Sequence, residues 1–242
     1  MPGSPRAFNR TAAALAVIAA TAAGCATPDV ATVHTTAVPT TNAPSADPGQ
    51  GRDLLAAASN NDAARVRELI GRGADLEVRD ERGATPLVAA TKNGATEAAR
   101  ALIEAGADVN AKDDLQDSAY LYAGAEGLDD ILELTLSHGA DVRSVNRYGG
   151  TALIPASEHG HVSTVRRLIA AGVDVNHVNM PQWTAMQEAV VYGDGSVKYQ
   201  QVVRALLDAG ADQSIRDSSG RTALDNAERL GQLQIAAILR AR

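Results

Sequence analysis

Few side chains in this sequence are of types that could do chemistry, and they are scattered. Cys25 is the only cysteine, so no intramolecular disulfide can form, and one thiol is all the chain offers as a soft nucleophile. His159-Gly160-His161 sets two imidazoles two residues apart, the best zinc candidate in the chain. Asp113-Asp114 and Asp129-Asp130 are paired carboxylates that could share general acid–base work. They fall at a turn and at a helix start, however, where carboxylates stabilise backbone N–H groups. His138, just before Gly139, reads in the same way as a cation at a helix C-terminus. There is no Gly-rich phosphate loop, no HExxH and no GxSxG. The reading is therefore no catalytic residue, no metal site and no cofactor.

Charge and composition narrow the classes further. Lys and Arg number 22 against 29 Asp and Glu, a net of −7 over 242 residues. Arg6 and Arg10 precede the first acid, Asp29, so a chain beginning at Cys25 would lose two cations and no acid and carry −9. Such acidity argues against nucleic acid and against anionic lipid headgroups, both of which need a basic surface. Aromatics make up 3% of the chain and the one Phe is Phe8. With Ala and Gly so abundant, the core must rest on close backbone packing.

The first 24 residues have the pattern of a targeting signal. Arg6 and Arg10 form a positive start, and Thr11 to Ala23 is an uncharged run ending in small residues. At the helical rise this run spans roughly 20 Å, short of the ~30 Å hydrocarbon core of a bilayer. Ala22-Ala23-Gly24-Cys25 resembles the lipobox of bacterial lipoproteins, in which the cysteine is lipidated and becomes the mature N-terminus. Ala22 departs from the Leu usual in that motif. The plainer alternatives are an ordinary secretory signal with a cysteine near its cleavage point and an uncleaved anchor. The lipobox resemblance implies an exported lipoprotein, anchored through Cys25 and facing the periplasm or cell exterior. Residues 25–50 follow as a tether. Positions 26–50 hold six Thr and four Pro, too little apolar surface to offset ordering entropy. A coil of that length reaches roughly 25–30 Å.

Residues 51–242 repeat. Gly-Ala/Val-Asp recurs at Gly73, Gly106, Gly139, Gly172 and Gly210, and a hydroxyl before a small residue or Pro recurs at Thr85, Ser118, Thr151, Thr184 and Thr222. Both markers keep spacings of 33, 33, 33 and 38, so a stacked repeat architecture is expected, with five residues inserted in its fifth unit. The elements follow from local chemistry. Thr85-Pro86 is a hydroxyl cap followed by Pro at the first helical position. Leu87 and Ala90 share a helix face, and Gly94 ends that helix. A second helix carries Ala99, Leu102 and Ile103, and Gly106 closes it. Asp80-Glu81-Arg82-Gly83 is turn chemistry. The units run about 51–79, 80–112, 113–145, 146–178, 179–216 and 217–242.

Arg82 to Asp113, with its TPL start and GADVN ending, resembles an ankyrin repeat, and the resemblance covers residues 51–242. It implies an all-α solenoid of stacked helix-turn-helix units with turn or hairpin tips. The first unit, with Arg52 in place of the Thr, and the last, which lacks the Gly-Ala-Asp ending, suit terminal caps. The His that the family carries after TPL is replaced by Val88, Leu121, Ile154, Gln187 and Asp225, removing a hydrogen bond that ties neighbouring units, so modest stability is expected. Gln116 and Gln182 replace turn glycines, and Thr135 replaces a helix Leu, which makes the third unit the expected weak point. In this register Gly160 is the helix-ending glycine of unit four, and the family commonly carries a His directly after it, so the zinc reading of His159 and His161 recedes.

The resemblance also implies function: a non-enzymatic, monomeric scaffold for another protein. A more specialised alternative is an inhibitor or immunity-type protein blocking one secreted or envelope enzyme. Ankyrin-like stacks bind through turn tips and first helices. The register places Arg147, Tyr148, Glu158 and His159 of unit four there, Met180, Trp183 and Tyr192 of unit five, and Arg221 of unit six. Tyr199, in the insertion at 194–202, lies beside them, and the insertion itself is expected to be a surface excursion. Tyr120 takes a core Leu position.

Overall fold

The computed structural model describes residues 48–242. The signal-like segment, Cys25 and the tether up to residue 47 lie outside the described residues. Twelve helices and no strand occur among the described residues. They come in consecutive pairs: α1 (Pro48–Ser59) with α2 (Ala63–Gly71), α3 (Pro86–Lys92) with α4 (Thr96–Glu104), α5 (Ala119–Glu126) with α6 (Asp129–Ser137), α7 (Leu153–Glu158) with α8 (Val162–Ala170), α9 (Ala185–Val191) with α10 (Val197–Asp208), and α11 (Ala223–Arg229) with α12 (Leu233–Arg240). Each first helix packs on the next first helix, and each second helix on the next second helix. The result is the expected all-α solenoid, two helical rows deep. α1 already takes in residues 48–50, at the end of the segment read as tether.

The hydroxyl marker is the helix cap. Thr85, Ser118, Thr184 and Thr222 each accept a hydrogen bond from the backbone N–H three residues on, satisfying a donor that a helix start otherwise leaves orphaned. Thr151 breaks the series, and Pro155 explains why. In the other units the N–H four residues after the hydroxyl donates to its carbonyl, as Ala89 does to Thr85 O. Pro155 has no N–H to give. Ile154 N takes the Thr151 carbonyl instead at 3.1 Å, and the buried Thr151 hydroxyl is left without a partner. The helix that follows, α7, is the shortest among those described, at six residues.

The Gly-Ala/Val-Asp marker has an equally local cause. Its glycine holds a positive φ, +94° at Gly106, a conformation that costs a Cβ-bearing residue energy. Its aspartate turns back to accept the N–H two residues on, as Asp108 does from Asn110. At the tips, Asp80, Asp113, Asn146, Asn179 and Asp217 stand at one register. Each backbone N–H donates to the carbonyl four residues on, and each side chain accepts N–H groups of its own turn. Gln116 and Gln182 take φ of +63° and +66° where Gly83 and Gly149 stand in neighbouring units, a strained backbone for glutamine.

Between the rows the core is small-residue packing, as the composition predicts. Ala58, Ala90, Ala98, Ala99, Ala123, Ala156, Ala189 and Ala227 are all fully buried. A Cβ built on Gly124 would meet Ala152 Cβ at 2.8 Å, so α5 and the start of the next unit approach closely there. Tyr120 fills the expected core position and is fully buried. Thr135, in its Leu position, is also fully buried and turns its hydroxyl onto Leu132 O.

The insertion differs from expectation. It lengthens α10 to 12 residues, against nine in α4, α6 and α8, and is not a free excursion. Tyr199 is only 7% exposed, and its phenol donates to Glu158 O at 3.0 Å. Lys198 Nζ donates to His159 O at 3.0 Å. Both bonds brace the C-terminal end of α7.

Two substitutions test this packing by chemical denaturation. Leu168→Ala, at a fully buried position in α8, should lower stability by roughly 2–5 kcal/mol. Pro155→Ala should raise it by about 1 kcal/mol, because a restored N–H at 155 frees Ile154 N to cap on the Thr151 hydroxyl. A destabilised Pro155→Ala would show that the short α7 has another cause.

Candidate functional site

The first helices α5, α7 and α9 and the tips before them enclose a groove of about 370 Å³. Helix α5 contributes Tyr122 and Glu126, and α7 contributes Pro155 and Glu158, with His159 as the residue that ends it. From α9 comes Glu188, followed by Tyr192 at the helix end. The tips add Asp117, Asn146, Arg147, Tyr148 and Asn179.

Glu188 is the least ordinary of these. It lies within the apolar run of α9 and is 6% exposed. One hydrogen bond reaches it from a donor, Asn179 Nδ2 to Oε1 at 2.8 Å, and the Glu158 carboxyl is its other neighbour. Burial, and then the Glu158 charge, push the Glu188 carboxyl up to about 7, against the pull of the Asn179 amide. Asn179 does two jobs, since its Oδ1 accepts Trp183 N at 2.8 Å and thereby holds the tip. An aspartate there would face Glu188 with a like charge. In the last unit the same pair of positions holds Asp217 and Asn226, with the polarity reversed: Asn226 Nδ2 donates to Asp217 Oδ2 at 3.0 Å. Burial raises the Asp217 carboxyl, but Asn226, the turn N–H groups and Arg221 prevail and hold it at about 2.

The groove brings together five of the nine residues expected on the binding face. Arg147 lies over the Tyr148 ring at 4.7 Å, with one guanidinium nitrogen 3.9 Å from Asp117. Tyr148 and Tyr192 are 53% and 58% exposed. Glu158 faces Glu188. His159 Nδ1–H donates to Ala125 O at 2.8 Å, so this ring ties two units together. Its neighbour His161 lies at a ring distance of 5.5 Å, and among the described residues no group of three His, Cys, Asp or Glu could hold a metal ion.

The other four stand outside the groove lining. Trp183 is half-buried, 5.1 Å from the Tyr192 ring, and so backs the groove wall. Met180 is exposed at the tip, its N–H bonded to Tyr148 O. Arg221 binds Asp217 in its own turn at 3.3 Å. Tyr199, expected on the surface, is instead buried behind α7. The register ran past Tyr122, Glu126, Asn179 and Glu188, although a glutamate inside Ala185–Val191 was a visible signal.

This geometry can be set beside known proteins. Residues 54–146 and 120–217 match the family of ankyrin repeats (three copies). The chain belongs to the ankyrin-repeat family. An ankyrin repeat domain from Acinetobacter baumannii shares 53% identity over 78% of this chain and 96% of that one, with a TM-score of 0.76. The ankyrin repeat protein EF0377 shares 43% identity over 78% of this chain and 97% of its own, also at 0.76. A chain from the complex of the predatory endopeptidase Bd0816 of Bdellovibrio bacteriovorus with immunity protein Bd3460 shares 25% identity over 79% and 98%, at 0.68. A search of curated proteins found no match. Within the family pattern, Gln187 stands where the characteristic His would, and its Nε2 donates to Ile215 O at 3.0 Å. It restores the tie between units at that one position.

The buried carboxyl makes stability depend on pH. A folded-state pKa of about 7 against an ordinary 4.5 means that the folded chain holds this proton more tightly than the unfolded one. Its contribution is therefore fully present below the ordinary value and lost as pH rises through about 7, a difference of roughly 2–4 kcal/mol. Glu188→Gln keeps an acceptor for Asn179 and offers Glu158 a donor. Denaturation at pH 5 and pH 8 should show the variant more stable than the parent at pH 8 and nearly equal at pH 5. Equal pH dependence in both proteins would place the titrating group elsewhere.

Proposed function

We propose that this chain is a non-enzymatic protein-interaction scaffold, exported and tethered to a membrane through a lipid on Cys25, that docks a partner protein in the groove between α5, α7 and α9. The observation that carries the reading is the groove itself, in which exposed tyrosines stand beside an Arg and two carboxyls on a stack of paired helices. Rigid aromatics and Arg are the residues that dominate interface hot spots. Ankyrin family membership supports the scaffold reading in general terms, although a fold alone does not fix function. No helix among the described residues is long and apolar enough to cross a membrane, so the tether reading rests on the lipobox resemblance.

A second reading, an inhibitor or immunity-type protein for one secreted or envelope enzyme, is favoured by one specific likeness. A chain in a peptidase–immunity complex matches 79% of this chain and 98% of its own length in the same fold. The two readings share the groove and differ in what happens to the partner.

Two measurements test these statements. Cys25→Ser should move the protein from the membrane fraction to the soluble exported fraction, and unchanged membrane retention and processing would remove the lipid anchor from the proposal. A photo-crosslinking residue at Tyr148 or Tyr192 should capture one stoichiometric protein, with yield falling about tenfold when the other tyrosine is changed to Ala. Loss of the captured protein's enzymatic activity in the complex would select the inhibitor reading. Crosslinks only from the opposite row of helices would move the site.

A further inference from the structure

We infer that the α7–α9 end of the groove is a receptor for an arginine side chain of the partner, with the guanidinium bridging the Glu158 and Glu188 carboxyls from the groove and lying against the Tyr192 ring. This rests on the groove being the docking site and adds the chemistry of what enters it.

Three features of the structure converge on a planar cation. First, the two carboxyls face one another with no positive charge of the protein between them. Among the described residues no Lys, Arg or His nitrogen lies within 4.0 Å of either one. The nearby cations are engaged elsewhere: Arg147 is drawn to Tyr148 and Asp117, and Lys198 caps the His159 carbonyl. Second, Glu188 is more than nine-tenths buried in the groove lining, where the Asn179 amide donates to it and the Glu158 carboxyl hydrogen-bonds it, with no cationic donor in reach. A carboxylate has room for about four hydrogen bonds, so the pair keeps acceptor capacity for the N–H groups of a guanidinium. A buried acid so placed loses free energy whenever it is charged, and a cation reaching both carboxyls would reverse that loss. Third, the wall is aromatic. Tyr192 stands 58% exposed at the end of α9, and Trp183 supports it from behind at 5.1 Å.

The choice of Arg over Lys follows from shape. A guanidinium is flat, stacks on a ring and offers five N–H donors in a fork that can meet two carboxyls at once, whereas an ammonium is a compact, strongly hydrated point charge. The groove, at about 370 Å³, admits a whole side chain. The excess of acids in the chain as a whole favours a basic partner surface in the same sense.

The site carries its own reporter, because Trp183 is the only tryptophan and touches the proposed wall. The full chain is titrated at pH 8 with N-acetyl-L-arginine methylamide, and with the citrulline analogue as a neutral copy of the same shape. Trp183 emission should change saturably with the arginine probe and at least about tenfold more weakly with citrulline. The double variant Glu158→Gln/Glu188→Gln keeps the shape of both side chains, and its thermal melt checks that it folds. It should lose at least about tenfold in affinity, while Arg143→Ala, at an exposed position outside the groove, should bind as the parent does. Equal responses to arginine and citrulline, an unchanged double variant, or silence up to about 50 mM probe would each overturn the inference. So would calcium chloride producing the same response through the same two carboxyls, which would make the pair a metal site. Capture of a partner from Tyr148 or Tyr192 by a protein that ignores the arginine probe would leave the docking groove standing and sink only this assignment.

Discussion

Each helix pair turns one face to the pair before it and one to the pair after, and the burial of those faces is the interaction on which everything else depends. Helices of six to nine residues do not persist alone in water, and most of those described are of that length. They survive because fully buried side chains such as Leu87, Leu102, Leu132, Leu153, Leu168 and Leu206 lie between rows of alanine. Close approach leaves backbone polar groups with no water to satisfy them, and the marker residues supply the answer. Hydroxyls cap the first helices, and the tip Asp and Asn side chains fold back on their turns. A line of side chains then bridges unit to unit: Asp108 N donates to Glu77, Asp141 N to Asn110 and Asp212 N to Asn176. Arg143 stands at the same register with no acceptor to offer, and the line is interrupted there.

The interruptions gather around the groove. Pro155 costs unit four its cap, Gln182 takes a strained turn beside Asn179, and Glu188 puts a carboxyl into a buried helix face. Local rules of stability are commonly broken where a protein has another use for the position. The inserted residues work in the opposite direction. Tyr199 and Lys198 bond to the carbonyls of Glu158 and His159, holding the end of α7 that carries two groove residues. The five residues that looked like an added surface thus serve as a brace for the site.

How far the sequence could be read depended on whether a feature repeated. The 33-residue markers revealed the fold, the helix pairs and the tips, because each is set by a local hydrogen bond that recurs in every unit. Tyr120 and Thr135 could be placed in the core by register alone. The groove was half visible: Arg147, Tyr148, Glu158, His159 and Tyr192 follow from the family's habit of using tips and first helices. Glu188 and Asn179 did not, because their meaning lies in a pairing nine residues apart that reverses polarity in the next unit. Tyr199 was misplaced for a similar reason. An insertion has no register to inherit, and only its contacts with α7 show which way the ring turns.

That nine-residue relation explains how one frame can carry a specific site. Nine residues beyond the five tip positions stand Ala89, Tyr122, Pro155, Glu188 and Asn226. Three of these line the groove, and none repeats another. The position lies on a first helix, after the cap and before the closing turn, so the frame asks no particular side chain of it. Cap, tip and triplet positions are held to a few residue types by backbone geometry, and buried positions by volume. What remains free is the strip where first helices meet the tips. A stack whose backbone is fixed elsewhere presents that strip with little ordering left to do on binding, which lowers the entropic cost of association. Recognition can therefore be altered at these positions one side chain at a time while the stack beneath stays the same.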